Sequence, residues 1–189
     1  MHIEDKDFIR LRDYVKSNFG VNLEKKRTLI EGRLSNSITQ SGFANFHDYI
    51  EDVLGDKSGA KINMLMTKLT TNYTYFMREE THYNFMRNEA LPYWTSVIRD
   101  HDLRIWSAGC ASGEEAYTTA MVLSEWFGPK KREWDTTILA TDISTKVLDM
   151  AKRGVYPEEH FDNLQKSWRD KYFQKTSDGE YQVRDILAK

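Results

Sequence analysis

Apolar residues recur every three to four positions through the first seventy residues of the chain, with polar residues between them. This spacing places the apolar side chains on one face of a helix. Glycines at 20, 42 and 55 separate the runs, and glycine is common just after a helix ends. The pattern predicts four short amphipathic helices that share one core, in which Met64 and Met66 act as filling. The four sets of apolar positions are Phe8, Leu11, Val15 and Phe19; Leu29, Ile30, Leu34 and Ile38; Phe46, Tyr49, Ile50, Val53 and Leu54; and Ile62, Leu65, Met66 and Leu69.

The periodicity changes after residue 100, where short apolar runs alternate with longer helical patterns. Residues 103–107 are predicted to form a strand that enters a glycine-containing loop at 108–113, and an amphipathic helix follows. Residues 136–141 are predicted to form a second strand, followed by a helix that Ser144 caps and that ends before Gly154. Strand, helix, strand and helix in this order are typical of a parallel sheet. The second part of the chain is therefore predicted to be α/β.

The end of the chain carries two further patterns. Residues 160–174 are predicted to be helical, and Asp178-Gly179 between two short polar-apolar runs predicts a hairpin turn and a local antiparallel excursion. Together with the helical pattern at the start, these elements predict two domains. The first is a helical domain at 1–69, and the second is an α/β domain at 70–189.

The composition narrows the class of protein. Hydrophobic residues make up 40% and charged residues 30% of the chain, and the formal net charge is -2. This balance argues against a general nucleic-acid binder, because counterion release needs a clear cationic excess. No apolar run approaches the roughly 20 residues that span a bilayer, and no signal segment opens the chain. We expect a cytoplasmic protein without membrane insertion, in which the single cysteine, Cys110, is a packing residue and the scattered histidines form no metal site.

The loop after the first predicted strand is the first candidate for chemistry. Gly109 and Gly113 are spaced differently from the glycines of a dinucleotide-binding loop, and Glu114 and Glu115 follow at the start of the helix. Two carboxylates at this position repel a pyrophosphate, so a cationic or zwitterionic ligand is the better electrostatic fit. The alternative is a tight turn whose acidic residues complement the helix dipole.

Asp142 is the second candidate, because it follows the second predicted strand. Ligands of α/β sheets bind beyond the carboxyl ends of the strands, so Asp142 is expected to face the same crevice as the glycine loop. A carboxylate there can accept hydrogen bonds from both hydroxyls of a ribose. A ribose with a cationic neighbour and no phosphate describes S-adenosylmethionine better than a nicotinamide cofactor. The alternative is that Asp142 only caps the next helix.

The third candidate is the segment 70–79, which crowds hydroxyl, amide, aromatic and arginine side chains at the junction of the two predicted domains. Loop residues at such a junction are well placed to line a cleft. The alternative is the capped start of a helix followed by a surface arginine.

The segments LTTNYTYFMRE, RIWSAGCASGEEAYTTAM, LATDIS and AKRGVY together resemble the chemotaxis receptor methyltransferases of the CheR type, from about Leu69 to Tyr156. The resemblance implies a small helical N-terminal domain followed by a Rossmann-like class I methyltransferase domain with a small antiparallel insertion. It also implies transfer of a methyl group from S-adenosylmethionine to glutamate side chains of chemoreceptors, with S-adenosylhomocysteine as the product.

The same resemblance implies roles for individual residues. It places Asn72, Thr74 and Arg78 in the cofactor motif, with Arg78 also beside the methyl group that is transferred. The remaining cofactor-binding residues that it implies are Gly109, Gly113, Glu114, Glu115 and Asp142, with Glu115 nearest the methionine amino group.

Basic residues near the second predicted helix have two interpretations. Lys25, Lys26, Arg27 and Arg33 are expected on the helix surface opposite its apolar face, where a solvated surface is the simplest explanation. The resemblance implies that they meet the acidic methylation region of a chemoreceptor.

The motifs that the CheR-type family carries after the region of resemblance have no counterpart in the 189 residues. The sheet is therefore expected to be partial, with an open edge and an uncovered apolar face that favour self-association or indicate a piece of a longer protein. Two alternatives to an active methyltransferase follow. One is a non-catalytic docking or cofactor-binding module, and the other, which the glycine spacing disfavours, is half of a nucleotide-binding oxidoreductase domain.

Overall fold

The computed structural model describes residues 1–188 and divides into two units. The first unit spans Met1–Thr71 and consists of four α-helices. The four predicted helices are confirmed. Their bounds are α1 (Asp5–Phe19), α2 (Arg27–Gln40), α3 (Phe46–Gly55) and α4 (Ala60–Leu69). Helix α1 ends at Gly20, whose φ of 70° lies in the left-handed region that glycine adopts without strain.

The predicted apolar faces of these helices form the core of the first unit. Leu11, Leu34 and Ile50 are each fully buried, as the helical spacing requires. The two methionines of α4 behave differently, because Met66 is fully buried whereas Met64 is 62% exposed. The prediction that both fill the core is therefore wrong for Met64, which lies on the solvent side of the helix.

The second unit begins at Asn72 and contains the predicted strand–helix–strand–helix arrangement. Strands β1 (Ile105–Ala108) and β2 (Ile138–Thr141) pair in parallel, with Ile105 opposite Ile138 and Ala108 opposite Thr141. Between them run α7 (Glu114–Phe127) and a short 3-10 segment, and α8 (Thr145–Arg153) follows β2. The predicted parallel sheet is confirmed.

A long helical element precedes this sheet and was not predicted from the sequence. Helix α5 (Glu80–Phe85) continues through a π-helical segment, Met86–Ala90, into α6 (Leu91–Val97). Pro92 lies just after the π-helical segment and has no N–H to donate to the preceding turn. The wider helical turn therefore falls where the regular hydrogen-bond ladder is interrupted.

A second, antiparallel sheet follows α8. It is ordered β3 (Val155–Tyr156), β5 (Tyr181–Val183) and β4 (Phe173–Lys175), and Gly179 in the β4–β5 turn has a φ of 87°. The predicted hairpin is confirmed. The predicted helix at 160–174 is shorter than expected, because α9 spans only Lys166–Tyr172 and Phe173 begins a strand. Helix α10 (Asp185–Ala188) closes the described part of the chain.

Aromatic packing explains why the strand begins at Phe173. The ring of Phe173 is 2% exposed and lies 5.0 Å from the ring of Phe76 and 4.8 Å from that of Phe161. Tyr156 packs edge-on against Phe76 at 4.9 Å. This tertiary contact overrides the local helical pattern, because it buries a large aromatic surface.

One face of the parallel sheet stays open in the described residues. Trp106 and Leu139 are opposite each other in the register and are 67% and 61% exposed. Among residues 1–188, no helix is both long and apolar enough to cross a membrane.

Candidate cofactor-binding site

The loop between β1 and α7 is held against the end of β2. The N–H groups of Gly109 and Cys110 both donate to the carbonyl of Thr141, at 2.8 and 2.9 Å. Gly109, Ala111 and Gly113 have φ values of 81°, 48° and 98°, so three of five consecutive residues have a positive φ. Alanine adopts this conformation only at a cost of about 1–2 kcal/mol. The surrounding hydrogen bonds therefore hold the loop in a defined shape.

Asp142 lies at the end of β2 and binds this loop directly. Its Oδ2 accepts from the N–H of Ala111 at 2.9 Å, and its Oδ1 accepts from the N–H of Ser144 at 2.8 Å. The carboxylate thus joins the loop to the start of α8. Each carboxylate oxygen can accept more than one hydrogen bond, so acceptor capacity remains for ligand hydroxyls.

The two loop glycines have different environments. A Cβ on Gly109 would meet no atom within 4 Å, so the backbone at Gly109 faces open space that a ligand can enter. A Cβ on Gly113 would lie 2.8 Å from the Cβ of Ala151 and 3.1 Å from the hydroxyl of Tyr156. Gly113 was predicted to bind the cofactor. The structure shows it in close packing between α7 and α8, and its contact with the cofactor stays a prediction.

The adjacent acids Glu114 and Glu115 also differ. Glu114 is fully buried, and its carboxylate accepts from Ser112 Oγ at 2.7 Å and lies 2.7 Å from Nδ1 of His160. These contacts enclose its carboxylate, and direct contact of Glu114 with the cofactor stays a prediction. A buried carboxylate needs such partners, because an unpaired buried charge is strongly destabilising.

Glu115 is exposed, and its Oε1 accepts a hydrogen bond from Ser107 Oγ at 2.6 Å. Ser107 is buried in β1, so the strand fixes the position of the acid at the start of α7. Burial and then the negative charge of Glu115 raise the pKa of Tyr83 of α5 to about 12. Tyr83 is not predictable from local spacing, because the helix that carries it has no clear apolar periodicity.

Cys110 is 1% exposed, and burial raises the pKa of its thiol above the ordinary value. A buried thiol of raised pKa is a poor nucleophile at neutral pH. Cys110 therefore packs within the loop, in agreement with the sequence analysis.

The segment from Asn72 to Glu79 is anchored in the second unit through Phe76. The ring of Phe76 is fully buried, and its N–H donates to the carbonyl of His160 at 3.0 Å. The next N–H, that of Met77, donates to Thr118 Oγ1 of α7 at 3.3 Å. These contacts place the segment against the helix whose first turn carries Glu115.

The three predicted site residues of this segment are exposed to different degrees. Asn72 is half-buried and Thr74 is buried, whereas Arg78 is exposed. One guanidinium nitrogen of Arg78 donates to the carbonyl of Tyr73 at 2.8 Å, which folds the side chain back over its own segment.

A cavity of about 1170 Å³ lies in the second unit. Its lining includes Ala120 of α7, Leu148 of α8 and Tyr172 of α9, but neither Glu115 nor Asp142. Gly113 of the glycine loop also lines this cavity, whereas Gly109 does not. Residues 1–188 contain no cluster of metal-ligating side chains.

The basic residues predicted for receptor docking are in the first unit, but they do not form one solvated surface. Lys25 and Lys26 are exposed and precede α2, which begins at Arg27. The guanidinium of Arg27 binds Asp5 at 2.6 Å and lies 4.6 Å from the centre of the Phe8 ring. Arg27 therefore serves largely to hold α1 and α2 together.

Arg33 has a structural role at the end of α4. Its Nη1 donates to the carbonyls of Leu69 and Thr70 at 2.7 and 3.0 Å, and its Nη2 donates to Thr71 Oγ1 at 3.0 Å. Carbonyls at a helix C-terminus lack partners within the helix, and a cation there also complements the helix dipole. The guanidinium of Arg33 thus caps α4, and the docking role of Arg33 stays a prediction.

Comparison with known proteins adds to this geometry. Residues 6–70 match the family "CheR methyltransferase, all-alpha domain", and residues 72–189 match "CheR methyltransferase, SAM binding domain". The chain is 42% identical to a chemotaxis protein methyltransferase of Borreliella burgdorferi, over 100% of this chain and 68% of that protein. It is 34% identical to chemotaxis protein methyltransferase 2 of Vibrio cholerae and 29% identical to the chemotaxis protein methyltransferase of Escherichia coli, in each case over 98% of this chain and 64% of the relative. The chain thus spans about two thirds of the length of these relatives, and it belongs to the CheR methyltransferase family.

Proposed function

We propose that the chain binds S-adenosylmethionine and transfers its methyl group to glutamate side chains of chemoreceptors. The family match and the names of the relatives support this proposal. The observation that carries it is the pair of acids at the open crevice. Glu115 and Asp142 both belong to elements that flank Gly109, whose backbone faces empty space.

The residues present fit this cofactor. An exposed carboxylate at Glu115 matches the ammonium group of a methionine moiety, and the remaining acceptor sites of Asp142 match the hydroxyls of a ribose. When bound, S-adenosylmethionine supplies a methyl group that is activated by its attachment to a sulfonium.

The chain itself has only to align the reacting groups. A glutamate side chain has an ordinary pKa near ~4.3, so the acceptor is already ionised at neutral pH and needs no general base. Arg78 is exposed and can leave the carbonyl of Tyr73 to orient the incoming carboxylate. The anchored Phe76 fixes the segment that carries Asn72, Thr74 and Arg78. Positioning of this kind contributes roughly 7–11 kcal/mol to lowering a barrier.

Titration with S-adenosylhomocysteine tests the cofactor site. Glu115→Gln removes the charge and keeps an oxygen that can accept from Ser107 Oγ, so we expect about tenfold weaker binding with unchanged unfolding. Asp149→Asn is the matched control, because it removes one negative charge from an exposed position on α8. Absence of binding by the unaltered chain would refute the proposed function, and equal binding by Glu115→Gln would refute the role of Glu115.

The chemistry of the product tests the acceptor. The chain is incubated with a receptor cytoplasmic domain and S-adenosylmethionine that carries a labelled methyl group. A glutamate methyl ester releases labelled methanol in mild alkali, whereas a methylated nitrogen keeps its label. We expect alkali-labile label on the receptor, and alkali-stable label would contradict the proposed acceptor.

The first unit supplies the proposed receptor contact. Lys25 and Lys26 are exposed and adjacent, whereas Arg27 and Arg33 are engaged within the unit. We therefore narrow the docking surface to the two lysines, which would attract an acidic receptor surface during encounter.

The double substitution Lys25→Ala/Lys26→Ala tests this surface. We expect receptor methylation at low ionic strength to slow by roughly 3–10-fold while affinity for S-adenosylhomocysteine stays the same. Lys57→Ala, at an exposed position between α3 and α4, is the control. Unchanged methylation by the double variant would contradict the docking role.

A further inference from the structure

His160 joins two segments of the candidate site through two different groups. Its ring Nδ1 lies 2.7 Å from Oε1 of Glu114, at the end of the glycine loop. Its backbone carbonyl accepts from the N–H of Phe76 at 3.0 Å, in the segment that carries Arg78. A single residue from outside both segments is therefore bound to each of them.

Glu114 transmits the side-chain contact to the loop. It is fully buried, and its carboxylate is also bound by the hydroxyl of Ser112 at 2.7 and 3.0 Å. Ser112 is itself buried, and its carbonyl accepts from the hydroxyl of Tyr156 at 2.7 Å. Ser112 is thus held through its side chain by Glu114 and through its backbone by Tyr156.

Because Glu114 is buried, its contact with His160 affects where its carboxylate lies. A carboxylate without contact to solvent must keep its hydrogen-bond donors, or it moves to a position where water can hydrate it. Among the described residues 1–188, Ser112 is the one other side-chain donor to Glu114, so loss of the imidazole would leave that donor alone. Movement of Glu114 would then carry Ser112 with it and disturb the loop that Asp142 and Gly109 share.

We infer that His160 is a positioning residue of the cofactor site, which holds the glycine loop through Glu114 and the Phe76 segment through its carbonyl. The inference rests on the proposed function, since it assigns His160 to the same crevice. His160 is not proposed to touch the cofactor. Its effect on binding is transmitted through Glu114 and Ser112.

Three substitutions separate the hydrogen bond from the ring. His160→Ala removes the donor. His160→Asn places an amide nitrogen near the position of Nδ1, whereas His160→Gln places the same amide one bond farther from the backbone. All three keep the backbone carbonyl that Phe76 uses, so the comparison reports on the contact with Glu114.

A matched control lies in the helical unit. Nδ1 of His47 lies 2.9 Å from Oδ1 of Asp7, which is 3% exposed, so this pair also joins an imidazole to a buried carboxylate. His47→Ala removes a comparable contact from the other unit of the chain. It should lower stability without changing binding at the glycine loop.

The measurement is affinity for S-adenosylhomocysteine by calorimetry, together with amide hydrogen exchange across residues 107–117 in the ligand-free chain. We expect His160→Ala and His160→Gln to bind about tenfold more weakly and to exchange faster in the loop, with His160→Asn and His47→Ala close to the unaltered chain. Equal affinity of His160→Ala and the unaltered chain would overturn the inference and leave the proposed function intact. Failure of His160→Asn to restore binding would also overturn it. Absence of binding by the unaltered chain would refute both proposals.

Discussion

Replacement of Gly113 by alanine tests the packing that shapes the candidate site. The added Cβ would lie 2.8 Å from the Cβ and 3.2 Å from the Cα of Ala151, and 3.1 Å from the hydroxyl of Tyr156. The Cα belongs to helix α8 and cannot move alone. Overpacking of this kind costs about 1–3 kcal/mol, and a left-handed conformation costs an alanine about 1–2 kcal/mol more. We expect Gly113→Ala to lower the free energy of unfolding of the second unit by about 2–5 kcal/mol.

Gly109→Ala is the matched control, because Gly109 has a similar φ of 81° and no atom within 4 Å of an added Cβ. Its free energy of unfolding should fall only by the cost of placing an alanine in the left-handed conformation, about 1–2 kcal/mol. The new methyl group of Gly109→Ala would point into the crevice. We therefore expect this variant to bind S-adenosylhomocysteine more weakly than its small loss of folding stability alone would explain.

Urea unfolding followed by tryptophan fluorescence measures the difference between the two glycine variants. All five tryptophans lie between residues 94 and 168, so the signal reports the second unit alone. Linear extrapolation gives the free energy of unfolding of each variant. If both variants lose the same stability within about 0.5 kcal/mol, the packing of Gly113 against α8 is not what requires glycine, and the reasoning is refuted.

Two further predictions concern the helical unit. Arg33→Ala should lower the stability of this unit by about 1–3 kcal/mol, because it removes the guanidinium that donates to the carbonyls at the end of α4. Lys26→Ala is the control and should leave the stability unchanged. Thermal unfolding followed by far-ultraviolet circular dichroism measures both variants, and equal melting temperatures would contradict the capping role of Arg33. The hydrogen bond and then the charge of Asp7 raise the pKa of His47 above its ordinary value. The stabilising contribution of His47 is therefore complete below about pH 6.5 and is lost as the pH rises through the raised pKa. His47→Asn should remove this part of the pH dependence in urea unfolding followed by circular dichroism, and an identical pH profile for both chains would show that the pair does not contribute it.

Local spacing in the sequence was sufficient to predict most of the fold. Helices α1 to α4 bury one face each, so their apolar residues repeat with the helical period. The helix from Glu80 to Val97 was missed because Phe85 and Tyr93 are more than 60% exposed and obscure any single apolar face. The start of β4 at Phe173 depends on contacts with Phe76, almost one hundred residues earlier, which no local window contains.

The candidate site was predicted only in part, because some of its contacts join residues that are far apart in the sequence. Asp142 and the glycine loop are carried by the ends of adjacent parallel strands, so topology alone brings them together. The sequence spacing could not show that Glu114 and Glu115 have different roles, because the two residues are adjacent. The carboxylate of Glu114 is turned inward by a histidine 46 residues away, and Arg33 is likewise directed inward by carbonyls 36 and 37 residues away.

Neighbouring acids in the loop therefore have different physical roles. The charge of Glu115 is exposed and available to a cationic ligand, whereas the charge of Glu114 is buried with His160 and Ser112 and keeps the loop in shape. A buried carboxylate makes a poor ligand for a cofactor that must leave after each reaction, because its partners would have to be exchanged each time. It makes a good internal support, since its hydrogen bonds persist whether or not a ligand is present. The position of the exposed acid thus depends on the pairing of the buried one, which is why we expect substitution of His160 to affect binding at a crevice that it does not line.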